Sequence, residues 1–270
     1  MNDKKISVDK IVEICQGEVV SRGIASTCND FCCDTRLLKK GDTFLALKCE
    51  AENAIKYIED AFEKGAIGCI CECDVPESLK NKYNDKFIIK VRDSVEAIQK
   101  LAEYKRSLYN IPVIAVTGSV GKTSTKEIIA SVVGEAFNVK KNQGNYNNHI
   151  GVPLTILSWD ENTECAVVEM GMNHFGEIEV LTKIAKPTVA VITNVGTAHI
   201  GILGSRENIL KAKMEILDGL QTGGTVVINN DNDLLHTCDL SNYNKVTYGI
   251  ENESDYMAFD IRREESSLEY

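Results

Sequence analysis

Val113-Ile-Ala-Val-Thr-Gly-Ser-Val-Gly-Lys-Thr-Ser-Thr125 reads as a buried strand, a glycine loop and the first turn of a helix. Val113 to Val116 are four apolar residues in a row, which suits a strand covered on both faces. In such a loop the backbone N–H groups converge on phosphate oxygens, and the helix N-terminus adds positive potential there. Thr117, Gly118, Ser119, Val120, Gly121, Lys122, Thr123 and Ser124 would surround the phosphates. Lys122 would reach the β- and γ-phosphates, and the Thr123 hydroxyl would ligate Mg²⁺. The stretch therefore predicts a nucleoside triphosphate site. Its turn is tighter than G-x-x-x-x-G-K-[ST], which needs glycine at position 116, where this chain has Val116. A chance glycine turn is the alternative. Against it stands the following helix, whose Ile128, Ile129, Val132, Val133 and Phe137 are spaced as one apolar face.

Downstream, Cys165–Val168, Thr188–Ile192 and Thr225–Ile228 are apolar runs without polar alternation, the pattern of a parallel sheet covered on both sides. Helical patterns near Ile178–Ala185 and Arg206–Leu220 fall between them. This alternation predicts a mostly parallel, doubly wound α/β sheet with ligands at the strand C-terminal ends. Glu169 follows one such strand directly and is placed to hold Mg²⁺ or to orient a nucleophile. His199 closes Thr193-Asn-Val-Gly-Thr-Ala-His199 after another, as a candidate metal ligand or phosphate contact. Asn145, Asn147 and Asn148 form an amide cluster that reads equally as a turn or as a substrate contact. By spacing alone, Lys213 is a solvated helix lysine.

Residues 1–109 read as a small α/β domain and 110–270 as a second, nucleotide-binding one, with Asn110-Ile-Pro112 at the boundary. The first begins with a helix over Ser7–Cys15 capped by Ser7. Strands follow near Gly41–Leu47, Ala66–Cys73 and Phe87–Val91, with helices over Ala54–Lys64 and Ser94–Leu108. A net charge of −10, from 30 basic and 40 acidic residues, argues against a nucleic-acid partner. No apolar run has membrane-spanning length, and Met1-Asn-Asp-Lys-Lys5 leads into no signal-peptide core, so a cytoplasmic protein is expected. Eight of the ten cysteines precede residue 75. Cys69, Cys71 and Cys73 alternate along a predicted strand and would share one face. Their spacing, and that of Cys28, Cys32 and Cys33, fits free thiols better than a zinc site. At the far end, Met257–Arg262 and Leu268–Tyr270 read as strands around a polar turn. The second has no visible ending, as in the front part of a longer protein.

Several ordered segments resemble the Mur ligase family of peptidoglycan-precursor amide ligases. They are Thr117–Glu127, Gly144-Asn-Tyr-Asn-Asn-His-Ile-Gly-Val-Pro153, Val168-Glu-Met-Gly-Met172, Gly176-Glu-Ile178, Ile192–Ile200, Leu203–Glu207 and Ala212–Ile216. Glu169-Met-Gly-Met-Asn173 and Gly176-Glu-Ile178 point to the D-alanyl-D-alanine-adding branch. The resemblance implies that ATP phosphorylates the terminal carboxylate of a UDP-N-acetylmuramoyl tripeptide, and that the amine of D-alanyl-D-alanine then attacks the acyl phosphate. It further implies Mg²⁺ on Thr123 and Glu169, a second Mg²⁺ on His199, a carbamylated Lys213 near metal, and Asn229 against adenine. Asn145, Asn147 and Asn148 become substrate contacts. Asp34-Thr-Arg36 and Gly41–Lys48 resemble the family's UDP-binding domain, with Thr35 and Arg36 as contacts. The chain departs at Cys49 and Asn53-Ala-Ile55, where the family carries glycine and an Asp-Gly pair. The family's third domain is absent after Tyr270, so the 270-residue chain alone is expected to bind nucleotide and turn over very slowly at most. A monomer is expected. Another Mur-type ligase, or a nucleotide-binding paralogue without ligase activity, is the alternative.

Overall fold

The computed structural model describes residues 5–28, 30–47, 51–263 and 268–269. Met1–Lys4, Lys48, Cys49 and Tyr270, which entered the sequence reading, lie outside them. By contacts the chain divides into Met1–Asn110 with His149–Asn162, and Ile111–Asn148 with Thr163–Tyr270. Residues 149–162 thus go with the first unit, although in sequence they follow the boundary at 110.

The first unit runs β1 (Ile6–Ser7), α1 (Val8–Cys15), β2 (Glu18–Ser21), β3 (Thr27–Cys28), β4 (Phe31–Cys32), β5 (Thr43–Leu45), α2 (Ala51–Glu63), β6 (Gly68–Cys71), α3 (Glu77–Lys82), β7 (Phe87–Lys90) and α4 (Ser94–Ser107). Ser7 caps α1, its hydroxyl accepting from Lys10 N at 3.1 Å. Five strands form one sheet in the order β2-β7-β6-β5-β4, parallel except for β2 against β7. Phe44, Ile58, Phe62, Cys69, Cys71 and Ile88 pack together on it. Cys69 and Cys71 are therefore core residues, and Cys73 lies half-buried beyond the strand end. Every described cysteine is a free thiol.

The second unit continues with β8 (Val113–Thr117), α5 (Lys122–Gly134) and β9 (Val139–Lys141). After α6 (Gly151–Leu157), which packs against α4 in the first unit, come β10 (Cys165–Glu169), α7 (Glu177–Ala185), β11 (Val189–Ile192), α8 (Ile200–Leu203) and α9 (Arg206–Met214). A 3-10 turn over Glu215–Gly219 precedes β12 (Thr225–Asn229), α10 (Asp233–His236), β13 (Asn244–Gly249) and β14 (Tyr256–Met257). Two-residue strands at Arg262–Arg263 and Leu268–Glu269 pair antiparallel. The seven-stranded sheet is parallel throughout, in the order β14-β13-β12-β11-β8-β10-β9. The expected parallel α/β architecture is present. β8 lies between β10 and β11, where the strand order changes direction. Such a switch point opens a crevice at the strand C-terminal ends.

Only part of the expected apolar face of α5 is covered: Ile129 and Val133 are half-buried and Phe137 is exposed. Ile128 and Val132 are 64% and 68% exposed, whereas Lys126 and Ala130 are 0% and 6% exposed. Ala130 packs with Val116, Val167 and Val191, and Ile129 lies against them. Ile129 and Ala130 face the sheet, and Lys126, one turn earlier, is buried over specific acceptors, given below.

Candidate functional site

The glycine loop leaves β8 and enters α5 at Gly121, whose φ of +79° suits glycine. Gly118 is constrained more tightly. A Cβ there would stand 1.9 Å from Thr193 Oγ1. No side chain caps α5, so the amides of its first turn, Lys122 to Ser124, face outward without an intrahelical acceptor. The loop is braced from the segment after β11. Thr193 Oγ1 donates to Val120 O at 2.8 Å, and Asn194 pairs with both Val120 backbone groups at 3.0 and 3.1 Å. Ser119 N donates to Asn194 O at 3.0 Å, and Ser119 Oγ accepts from Gly196 N at 2.9 Å. Ser119 and Val120 amides are thereby spent on the brace. The Thr117 hydroxyl is fully buried with no partner among the described residues.

Lys122 bends back, donating to Gly118 O at 2.9 Å. Burial lowers its pKa and Glu169 partly offsets this. Glu169, 1% exposed at the end of β10, has both oxygens engaged. Oε2 accepts from Thr123 Oγ1 at 2.8 Å, and Oε1 accepts from Asn147 Nδ2 at 2.7 Å. Mg²⁺ holds oxygens at about 2.0–2.1 Å in an octahedron, so neighbouring ligand oxygens stand about 3 Å apart. The Thr123 and Glu169 oxygens are already at that spacing. They fit a single Mg²⁺ completed by phosphate and water oxygens. Among the described residues no group of three or more His, Cys, Asp or Glu could hold a metal by itself.

His199, at the N-terminus of α8 with φ +65°, is exposed. Partial desolvation of its ring, then the charges of Lys213 and Lys122, hold its pKa below the usual histidine value against an opposing pull from Glu177, favouring a neutral imidazole. Lys213, on α9, is only 2% exposed. Desolvation, helped by Lys122, lowers its pKa to about 7. The solvated lysine that spacing suggested is thus buried. Lys122, Lys213 and His199 are mutually repelling basic groups, each with a lowered pKa, and a nearby polyanion would favour their charged forms.

Asn147 points at Glu169, while Asn145 and Asn148 are exposed on the same loop. Asn229 ends β12, its Oδ1 accepting from Asp231 N at 3.0 Å. In the first unit, Arg36 lies across Asp34, with Nε to Oδ1 at 2.9 Å and Nη2 to Oδ2 at 2.6 Å. Arg36 draws the Asp34 pKa down to about 2. The Thr35 carbonyl accepts from Lys64 Nζ at 3.0 Å. The structure therefore gathers Lys122, Thr123, Asn147 and Glu169, with His199 and Lys213 electrostatically coupled to Lys122. Thr35 and Arg36 form a separate turn in the first unit.

Sequence reasoning missed Thr193 and Asn194, although they follow a parallel strand's C-terminal end as Glu169 does. It also missed Asn142, which is fully buried. Its side chain accepts from Glu169 N at 2.9 Å and donates to Glu169 O at 3.0 Å and Tyr146 O at 2.9 Å.

Comparison with known proteins follows the same outline. Residues 116–270 match the Mur ligase middle domain. The chain is 38% identical over 270 residues to UDP-N-acetylmuramoyl-tripeptide--D-alanyl-D-alanine ligase of Bacillus subtilis (strain 168), covering 98% of this chain and 57% of that protein. It is 44% identical over 225 residues to the ligase of that name from Synechocystis, covering 83% and 49%. Among solved structures, MurF from Acinetobacter baumannii superposes with a TM-score of 0.82 at 30% identity, over 96% of this chain and 56% of that one. MurF ligase from Thermotoga maritima in complex with ADP gives 0.76 at 34% identity, over 89% and 54%. The chain spans about half the length of these relatives.

Proposed function

The chain belongs to the Mur ligase family, and on that premise we propose that it carries the nucleotide-binding and carboxylate-activating part of an ATP-dependent amide ligase. The ligase joins D-alanyl-D-alanine to a UDP-N-acetylmuramoyl tripeptide. The observation that carries this reading is the pair Thr123 Oγ1 and Glu169 Oε2, 2.8 Å apart beside Lys122 at the mouth of the glycine loop.

In this reading the loop and the α5 first turn receive the ATP phosphates, and Asn229 lies against adenine. Lys122 exchanges Gly118 O for phosphate oxygens. Thr123 and Glu169 hold Mg²⁺, which supplies positive charge to the phosphoryl oxygens as they take up negative charge. His199, neutral, is a ligand for a second Mg²⁺. Lys213 is modified: CO₂ adds to its neutral amine, forming an N–C bond and releasing one proton, and the neutral amine becomes an anion. A lowered amine pKa favours this by raising the neutral fraction. Asn145 and Asn148 meet the acceptor substrate, and Asn147 keeps Glu169 oriented. Thr35 and Arg36 meet the uridine nucleotide.

The chemistry runs in two displacements. A tripeptide carboxylate oxygen takes the γ-phosphoryl group, and ADP leaves. The D-alanyl-D-alanine amine then attacks the acyl carbon, the carbon–oxygen bond breaks, and inorganic phosphate departs as the amide forms. Phosphorylation is needed because a carboxylate is a poor electrophile.

ADP release measured with Mg²⁺-ATP, the UDP-N-acetylmuramoyl tripeptide and D-alanyl-D-alanine, omitting each in turn, tests the reading. ADP that depends on all three substrates supports the ligase. ADP that depends on ATP alone, with no amide product, overturns it.

A further inference from the structure

Lys126 is a lysine that neither the phosphate chemistry nor ordinary helix packing explains. It is 0% exposed, one turn along α5 from Lys122. Its ammonium donates to Asn142 O at 2.9 Å and to Gly144 O at 3.0 Å, and lies 3.0 Å from Glu127 Oε1. A buried cation is costly unless fully paired, so a lysine here fixes its acceptors in place. The two carbonyls belong to the segment that holds Glu169. The Asn142 side chain clamps both backbone groups of Glu169, and Asn147 holds its Oε1. Gly171 N, just past Glu169, donates to Asn147 O at 2.9 Å.

We infer that Lys126 is a positioning residue for the Mg²⁺–nucleotide site. It acts through the 142–147 loop to set Glu169 against Thr123. The same helix then carries three successive tasks: Lys122 for the phosphates, Thr123 for the metal, and Lys126 for the loop that aims the metal's carboxylate. This rests on the nucleotide reading above. Residues that orient a metal ligand typically govern metal affinity by about 10–100-fold without touching the ion.

The test compares wild type with Lys126→Met by titration calorimetry with β,γ-methylene ATP, once at saturating Mg²⁺ and once in EDTA. The expected result is an affinity gain from Mg²⁺ that falls by about tenfold or more in the variant, with affinity in EDTA little changed. Lys126→Gln, which keeps one amide donor in the cavity, carries the same comparison should the methionine variant not fold. A Mg²⁺ gain equal to that of wild type overturns the inference. So does an equal weakening under both conditions, which marks general destabilisation. Wild type that binds the nucleotide analogue with no Mg²⁺ dependence, or does not bind it, overturns the nucleotide reading itself.

Discussion

Gly118→Ala tests whether the brace from the segment after β11 shapes the glycine loop. A Cβ at position 118 meets Thr193 Oγ1 at 1.9 Å and Thr193 Cβ at 3.1 Å. The first contact is impossible and the second is merely tight. Thr193 must therefore turn its hydroxyl away, or the loop must move. Turning it gives up the 2.8 Å bond to Val120 O. That loss is worth about 1 kcal/mol, and forcing an extra carbon into a packed site adds about 1–3 kcal/mol. The sum, about 2–4 kcal/mol, is a large part of a domain's stability. The magnitude alone is weak evidence, so the diagnostic is the double mutant. Thr193→Ala removes the clashing oxygen and leaves the tight Cβ contact. Gly118→Ala should then cost about 1–2 kcal/mol less in the Thr193→Ala background than in wild type. Urea unfolding of the four proteins gives the cycle, and nucleotide affinity gives a second readout at the loop. Additive effects within about 0.5 kcal/mol would refute the reasoning, because residues in direct contact must couple.

Glu169→Gln keeps the side chain's shape, with its carbonyl accepting from Asn147 and its amide donating to the Thr123 hydroxyl, but removes the metal's anion, so the affinity gained from Mg²⁺ should fall by about hundredfold or more in calorimetry. Lys122→Ala should weaken ATP binding by about 10–100-fold while leaving urea unfolding nearly unchanged, since among the described residues its ammonium donates to Gly118 O alone. Lys213 has a pKa lowered from 10.5 to about 7. Between those values the unfolded chain binds the proton and the folded one does not, so this group makes stability rise with pH across that window, by up to about 1.4 kcal/mol per pH unit. Lys213→Met should remove that slope and be the more stable protein below pH about 7. Parallel pH profiles for the two proteins in metal-free buffer, measured by denaturant unfolding, would contradict the burial argument.

The sequence by itself determined whatever depends on backbone continuity. Gly118 and Gly121 between an apolar run and a helix mark the loop, because only a glycine turn brings successive amides round to one point. Uninterrupted apolar stretches at 113–116, 165–168 and 225–228 mark interior parallel strands, because both of their faces must be dry. Glu169 was legible as a strand-end carboxylate, and its partners were not. Thr123 reaches it from α5, and Asn142 and Asn147 from the one loop after β9, and no spacing rule links either segment to Glu169. β9, which reads Val139-Lys-Lys141, is an edge strand with too little apolar content to stand out. On α5 the hydrophobic pattern found Ile129, which packs on the sheet, but missed how the helix is turned. Ile128 and Val132 are exposed and Lys126 is buried, because two carbonyls from the 142–144 turn satisfy its ammonium only once β9 and the loop have folded over the helix. Lys213 was equally invisible as a buried group. A lysine's long stem makes it read as solvated at any helix position, and its charge is perturbed only by the tertiary surroundings that strip its water away. Local chain pattern fixes which elements form. Which polar groups among them lose solvent, and so acquire unusual chemistry, is settled only when distant segments close around them.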